Sequence, residues 1–191
     1  MLISPVNGAK GYYVYRKVGN GNWAYYKSTT STTFIDKNVS NGKNYAYRVK
    51  AYSSNTVSGF VYNPKTVLFV ATPKVKTPIN TDSGIKLPYD KVSGAKEYYV
   101  YRKNAKNGWD YLGKSTSSSF TDTTAVPGKK YTYIVKAYNS KGYISGFTPG
   151  GVTSIRLVTP QPTGHSVLSN GIKLRWSAVT GAKGYYVYRK T

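Results

Sequence analysis

The residues best placed to do chemistry in this chain are aromatic and cationic rather than acidic or nucleophilic. Trp23 with Tyr25, and Trp109 with Tyr111, follow polar turns rich in Gly and Asn, where flat rings can stack on the faces of pyranose sugars. Tyr13, Tyr15, Arg48 and Lys50 fall on the outward side of alternating strands, a pattern that would bring cations to phosphates while rings stack on bases or sugars. Both sets have a purely structural reading, and it is favoured. The Trp residues can cover a sandwich edge, and Tyr13 and Tyr15 can pack beneath the stems of Arg48 and Lys50, stabilising a sheet with no ligand.

Catalysis finds little to work with. There is no Cys, His165 is the single histidine, and Asp and Glu together number 6. Asp36 and Asp122 recur at matching positions, each just before a turn, which suits a turn-capping role. Asp82, Asp90, Glu97 and Asp110 occur in one copy only and lack the spacing of metal ligands. No nucleophile, base and orienting group can be assembled from these residues. The sequence therefore predicts no enzyme, no metal and no cofactor.

What must position the aromatic residues is a repeat. The decapeptide Gly-Ala-Lys-Gly-Tyr-Tyr-Val-Tyr-Arg-Lys at residues 8–17 returns unchanged at 181–190, and residues 94–103 differ from it only in Glu97. Copies at a fixed interval of 86 or 87 residues describe an array of one supersecondary unit. Within the unit, alternation marks strands at residues 12–17, 23–27 and 45–52, with Tyr12, Val14, Tyr45, Tyr47, Val49 and Ala51 facing a core. Phe34 and Phe120 read as core plugs. The last strand of each unit is expected at 66–73 and 153–160, with Leu68, Val70, Ile155 and Leu157 inward and Phe69 and Arg156 outward. Pro-flanked residues 74–77 and 161–163 read as stiff linkers in an extended array. No stretch carries an uninterrupted 3.6-residue apolar period, so no helix is expected.

Composition narrows the partners. Lys and Arg number 28, giving a formal charge of +22, which favours anionic partners. The longest apolar run, residues 67–71, is far below the ~20 residues of a membrane-spanning helix. Met1 leads straight into Leu2-Ile3-Ser4-Pro5 without a basic and then apolar leader, so an export signal is expected upstream.

Taken in order, these motifs resemble the fibronectin type III repeats of Gram-positive bacterial surface and secreted proteins. The resemblance is carried by Trp176, with Tyr89 and Ile3 in the same column, by Gly11, Tyr12 and Val14, and by Pro127-Gly128 before Tyr131, Tyr133, Val135 and Ala137. Ser58 and Ser145 stand before the last strand. It implies an all-β chain of tandem immunoglobulin-like sandwiches, one complete and two partial: 1–74, lacking its first strand and most of its second; 75–160, complete; and 161–191, ending at its third strand. It also implies tyrosine corners at Tyr45 and Tyr131, whose hydroxyls bond back to the backbone. Residues 160–191 fall below the ~40 residues that usually fold alone, so a window on a longer array is expected, with neighbouring repeats as partners. Open strand edges invite head-to-tail pairing between copies.

The function expected is a non-enzymatic extracellular or wall-attached spacer and interaction array that associates with anionic cell-wall polymers or glycans. The alternative is a carbohydrate-binding accessory to an exported polysaccharide hydrolase. A basic nucleic-acid binder is the least favoured reading, because residues 10–15 depart from the RNA-recognition signature: Tyr13 is not small and Val14 is not aromatic.

Overall fold

Alternating side chains and Gly-bearing turns produce antiparallel strands throughout the computed structural model, which describes residues 3–60 and 64–190. Among them there is no helix. The chain divides into two units that meet in sequence at Ala71 and Thr72.

The first unit contains β1 (Gly11–Val18), β2 (Ala24–Thr29), β3 (Asn44–Tyr52) and β4 (Lys65–Leu68), in the spatial order β2-β1-β3-β4. Its core face carries Tyr12, Val14 and Tyr45, at 5%, 0% and 4% exposure, with Phe34, Ala51 and Ile3 beside them. This is the inward face expected from alternation. The tyrosine corner is present as well: the Ser40 amide donates to the Tyr45 hydroxyl at 2.7 Å. Gly42, at φ 75°, supplies the left-handed residue in the turn that feeds β3.

The second unit is a two-sheet sandwich. One sheet orders β8 (Trp109–Ser115), β7 (Ala95–Lys103), β10 (Lys130–Asn139) and β11 (Val152–Ile155). The other orders β5 (Ile79–Thr81), β6 (Gly84–Pro88) and β9 (Ser119–Asp122). Between them Ile85, Leu87, Val100, Tyr133, Val135 and Ala137 are essentially excluded from water, which supplies the hydrophobic driving force. Val126 donates its amide to the Tyr131 hydroxyl at 3.0 Å, repeating the corner. Ser58 and Ser145 have equal roles, each accepting the amide of the β3 or β10 alanine, Ala51 or Ala137, at 2.8 Å.

Three expectations are corrected. Residues 74–77 are not a free linker, because Lys76 donates to the Pro88 carbonyl, Asp90 to that of Lys74, and Val75 bridges Tyr89. Similarly Pro162 and Thr163 open β12 (Pro162–Leu168), which pairs with β13 (Gly171–Trp176). Arg156 does not point outward: it is 5% exposed, and its guanidinium donates to the carbonyls of Thr81, Asp82 and Leu157. The strand ends at Ile155, so alternation counted through to residue 160 assigns Arg156 to the wrong face.

The third correction concerns the decapeptide. Residues 11–17 form β1, yet their identical counterparts 184–190 form no strand. β1 is hydrogen-bonded on both sides, to β2 and to β3, whereas residues 184–190 have no strand beside them among the described residues. Tyr186 and Tyr188 are accordingly 91% and 89% exposed. A strand is a property of its ladder as much as of its sequence.

The repeats also differ at a glycine. A Cβ on Gly84 would run into the carbonyl oxygen of Asp122 on neighbouring β9, while one on Gly171, the matching residue of β13, would meet nothing within 4 Å. Gly84→Ala should therefore destabilise the second unit by about 1–3 kcal/mol, with Gly171→Ala near neutral. Urea midpoints followed by circular dichroism distinguish the two, and equal effects would contradict this packing.

Candidate functional site

Pairing register carries the outward residues of the first unit into rows. Tyr15 of β1 lies opposite Tyr25 of β2 and Arg48 of β3, and Tyr13 lies opposite Lys50. Phe60 closes the cluster from the segment after β3. The guanidinium carbon of Arg48 stands 3.6 Å from the centre of the Phe60 ring and 4.3 Å from that of Trp23. Lys50 Nζ is 4.2 Å from the same Phe60 ring. Tyr15 meets Phe60 edge-on at 4.8 Å and Tyr25 at 5.8 Å, while Tyr13 stacks on Tyr52 at 4.4 Å. Trp23, Tyr25, Tyr13, Tyr15, Arg48 and Lys50 thus belong to one patch, joined by cation-π contacts each worth about 0.5–2 kcal/mol. Tyr25 is 56% exposed; the other five are half-buried.

The second unit builds a related but drier face. Tyr101 lies opposite Tyr111 and Ile134, so an isoleucine at 2% exposure occupies the place of Arg48. Trp109 contacts Phe147 at 5.9 Å, and Lys136 Nζ lies 5.3 Å from the same phenyl ring. Tyr111 packs edge-on against Tyr99 and Tyr101. Trp109 and Tyr111 share one face of β8 and engage different rings.

The most connected polar groups are ones the sequence reading treated as turn caps. Asp36 does accept the Asn38 amide at 2.9 Å, and Asp122 that of Thr124 at 3.0 Å. Each is also a buried hub. Asp36 accepts from Arg16, Tyr26 and Tyr47 at 3.0, 2.8 and 2.6 Å. Asp122 accepts from Arg102, Tyr133 and the Thr124 hydroxyl at 2.9, 2.8 and 2.7 Å. Arg16, Asp36 and Tyr47 recur as Arg102, Asp122 and Tyr133 at one common offset, a signal that was present in the sequence. Burial alone would raise the pKa of each carboxyl; the hydrogen bonds from the tyrosine, from Thr124 or Tyr26, and from the arginine outweigh it, so both lie below the ordinary carboxylate range. Every lone pair is occupied, which leaves these carboxylates structural.

Elsewhere, a depression of about 630 Å³ is lined by Leu157, Leu174, Trp176, Val179 and Tyr185. Trp176 meets Tyr185 at 5.4 Å, as Tyr89 meets Tyr98 at 4.7 Å in the sandwich core, so this is an uncovered core face. His165 sits exposed on β12. Among the described residues no three His, Cys, Asp or Glu side chains gather as metal ligands, and no helix is long and apolar enough to cross a membrane.

Two packed antiparallel sheets, tyrosine corners and the repeated column Ile3, Tyr89 and Trp176 make this a fibronectin type III-like, immunoglobulin-like β-sandwich fold. No family model matches the chain. In sequence it is similar to exoglucanase B of Cellulomonas fimi, at 29% identity over 215 aligned residues; the match takes in 94% of this chain and 18% of that protein. The chain therefore spans less than a fifth of that relative's length. Among solved structures it is similar to a two-domain fibronectin type-III segment of chicken tenascin, at 17% identity and TM-score 0.38, covering 79% of this chain and 86% of that one. It is also similar to the FN1–FN3 domains of chicken CNTN1, at 18% identity and TM-score 0.39, covering 76% and 53%.

Proposed function

We propose that this chain is a non-catalytic, extracellular module of a bacterial polysaccharide-degrading protein, one that spaces the parts of its parent and contacts carbohydrate through its ring-bearing sheet faces. The observation that carries the reading is the similarity to exoglucanase B over 94% of the chain, joined to a surface whose exposed rings include Tyr25 and Tyr111. A second reading, association with anionic cell-wall polymers, is favoured by the charge of +22.

Co-sedimentation with microcrystalline cellulose and with purified Gram-positive cell walls, at low and at physiological salt, separates the two. Stacking on neutral sugar survives salt, whereas charge-driven association weakens as screening rises. Cellulose binding that persists in salt and falls in Trp109→Ala is the expected result for the carbohydrate-contacting module. Wall binding that fades with salt, without cellulose binding, moves the assignment to the wall. Binding to neither leaves a spacer and removes the contact role.

A further inference from the structure

We infer that Arg48, held between Trp23 and Phe60, is the anchor of a binding site for acidic polysaccharide, with the guanidinium receiving a sugar carboxylate. The inference concerns the first unit alone and stands whether or not the parent protein is a hydrolase.

Within residues 3–160, Arg48 is unlike the other three arginines. Arg16 and Arg102 are tied to aspartates, and Arg156 is tied to three carbonyls. The Arg48 side chain makes no hydrogen bond or ion pair among the described residues, and its Nε is buried without a hydrogen-bond partner. A cation set among rings without a counter-charge is costly, so its presence calls for a reason. Structural need does not supply one, because the second unit fills the same place with Ile134 and brings Trp109 against Phe147 instead. An apolar side chain is thus sufficient for the fold, and the first unit carries an arginine in its stead.

The surroundings indicate what the arginine would bind. Two rings within 4.3 Å of the guanidinium carbon restrain the group and partly dehydrate it, which leaves the nitrogens not covered by them as the part able to meet a ligand. A fixed planar fork matches a carboxylate through two parallel hydrogen bonds. Lys50 on the same Phe60 ring adds a second cation. Tyr25, 56% exposed and edge-on to Tyr15, supplies a flat face beside them for the sugar ring. Single-stranded nucleic acid fits less well, since it needs successive free rings for successive bases, and here Trp23 and Phe60 are occupied by Arg48.

The test is titration of the full chain with polygalacturonate at physiological salt, with polyphosphate and single-stranded DNA as comparison polymers. Arg48→Ile installs the second unit's own residue and should weaken polygalacturonate binding about tenfold or more. Arg48→Lys keeps the charge, loses the fork and should also weaken it. Lys106→Ile, removing one charge from an exposed turn of the second unit, should leave it unchanged. Circular dichroism at the assay temperature, showing every variant folded, keeps the readout on binding. The inference is overturned if the parent chain does not bind polygalacturonate, if Lys106→Ile costs as much as Arg48→Ile, or if Arg48→Lys binds like the parent. Tighter binding to DNA overturns it in favour of nucleic acid, and tighter binding to polyphosphate moves the oxyanion from carboxylate to phosphate.

Discussion

Asp122→Ala should remove about 3–5 kcal/mol from the second unit, the cost of deleting one partner of a buried ion pair. The Asp122 side chain is 1% exposed, so water cannot replace it without opening the sandwich. Its removal strands the Tyr133 hydroxyl on a residue at 0% exposure, together with the Arg102 guanidinium and the Thr124 amide. Against the 5–15 kcal/mol that holds a typical domain together, about 4 kcal/mol is most of the margin. Calorimetry of the whole chain should show one transition displaced far downward. The other, which depends on Asp36, should stay in place. Asp122→Asn should cost less, because one oxygen still accepts while the amide nitrogen faces the former donors. A transition that does not move in Asp122→Ala would show that the hub carries no stability.

Stability should also fall at both ends of the pH scale, for two reasons with opposite sign. Asp36 and Asp122 have folded pKa values below the unfolded value of about 3.9, so the folded state holds fewer protons. Their contribution is complete above about pH 4 and is lost as pH falls through the folded values. Tyr47 and Tyr133 behave conversely: burial first, and then the hydrogen bond to the neighbouring carboxylate, raises each well above the ordinary tyrosine value of about 10. Their contribution is complete below about pH 10 and is lost as pH rises from there. Unfolding free energy against pH should form a plateau with two falling limbs. In the double variant Asp36→Asn, Asp122→Asn the acid limb should flatten. A parent profile that stays level from about pH 4 down to about pH 2 would rule out these carboxylates as the acid-sensitive groups.

Much of the fold is legible in the sequence because period-two alternation and an 86-residue repeat state the same thing twice. Tyr12, Val14, Tyr45 and Ala51 are buried where alternation places them, and the corner bonds of Tyr45 and Tyr131 form as the resemblance implies. What escapes is whatever depends on a partner distant in sequence. The carboxylate hubs join residues 20 and 11 positions apart, and reading Asp36 against its nearest turn finds only one of its bonds. Arg156 is misplaced because alternation does not announce where a strand ends. The candidate surface was readable as residue types. That Arg48 would lie between Trp23 and Phe60 while Ile134 is sealed beneath its own face follows from register, which no single strand contains.

One small bond bears on how the chain comes to fold. The hydroxyls of Tyr12, Tyr98 and Tyr185 each accept the amide six residues earlier, from Val6, Val92 and Val179, at 3.1, 2.8 and 2.7 Å. Tyr185 does so although no strand has formed around it. The bond is therefore separable from the sheet. It closes a loop short enough to form in roughly 10–100 ns, far ahead of the distant pairing of β1 with β3 or β7 with β10, whose loop-closure entropy slows the search. Each signature strand is thus delivered with its entry turn already set, which restricts the registers that a slow non-local step must sample. In an array of near-identical strands, where a wrong neighbour is always close in sequence, that early local clasp favours each repeat condensing on itself.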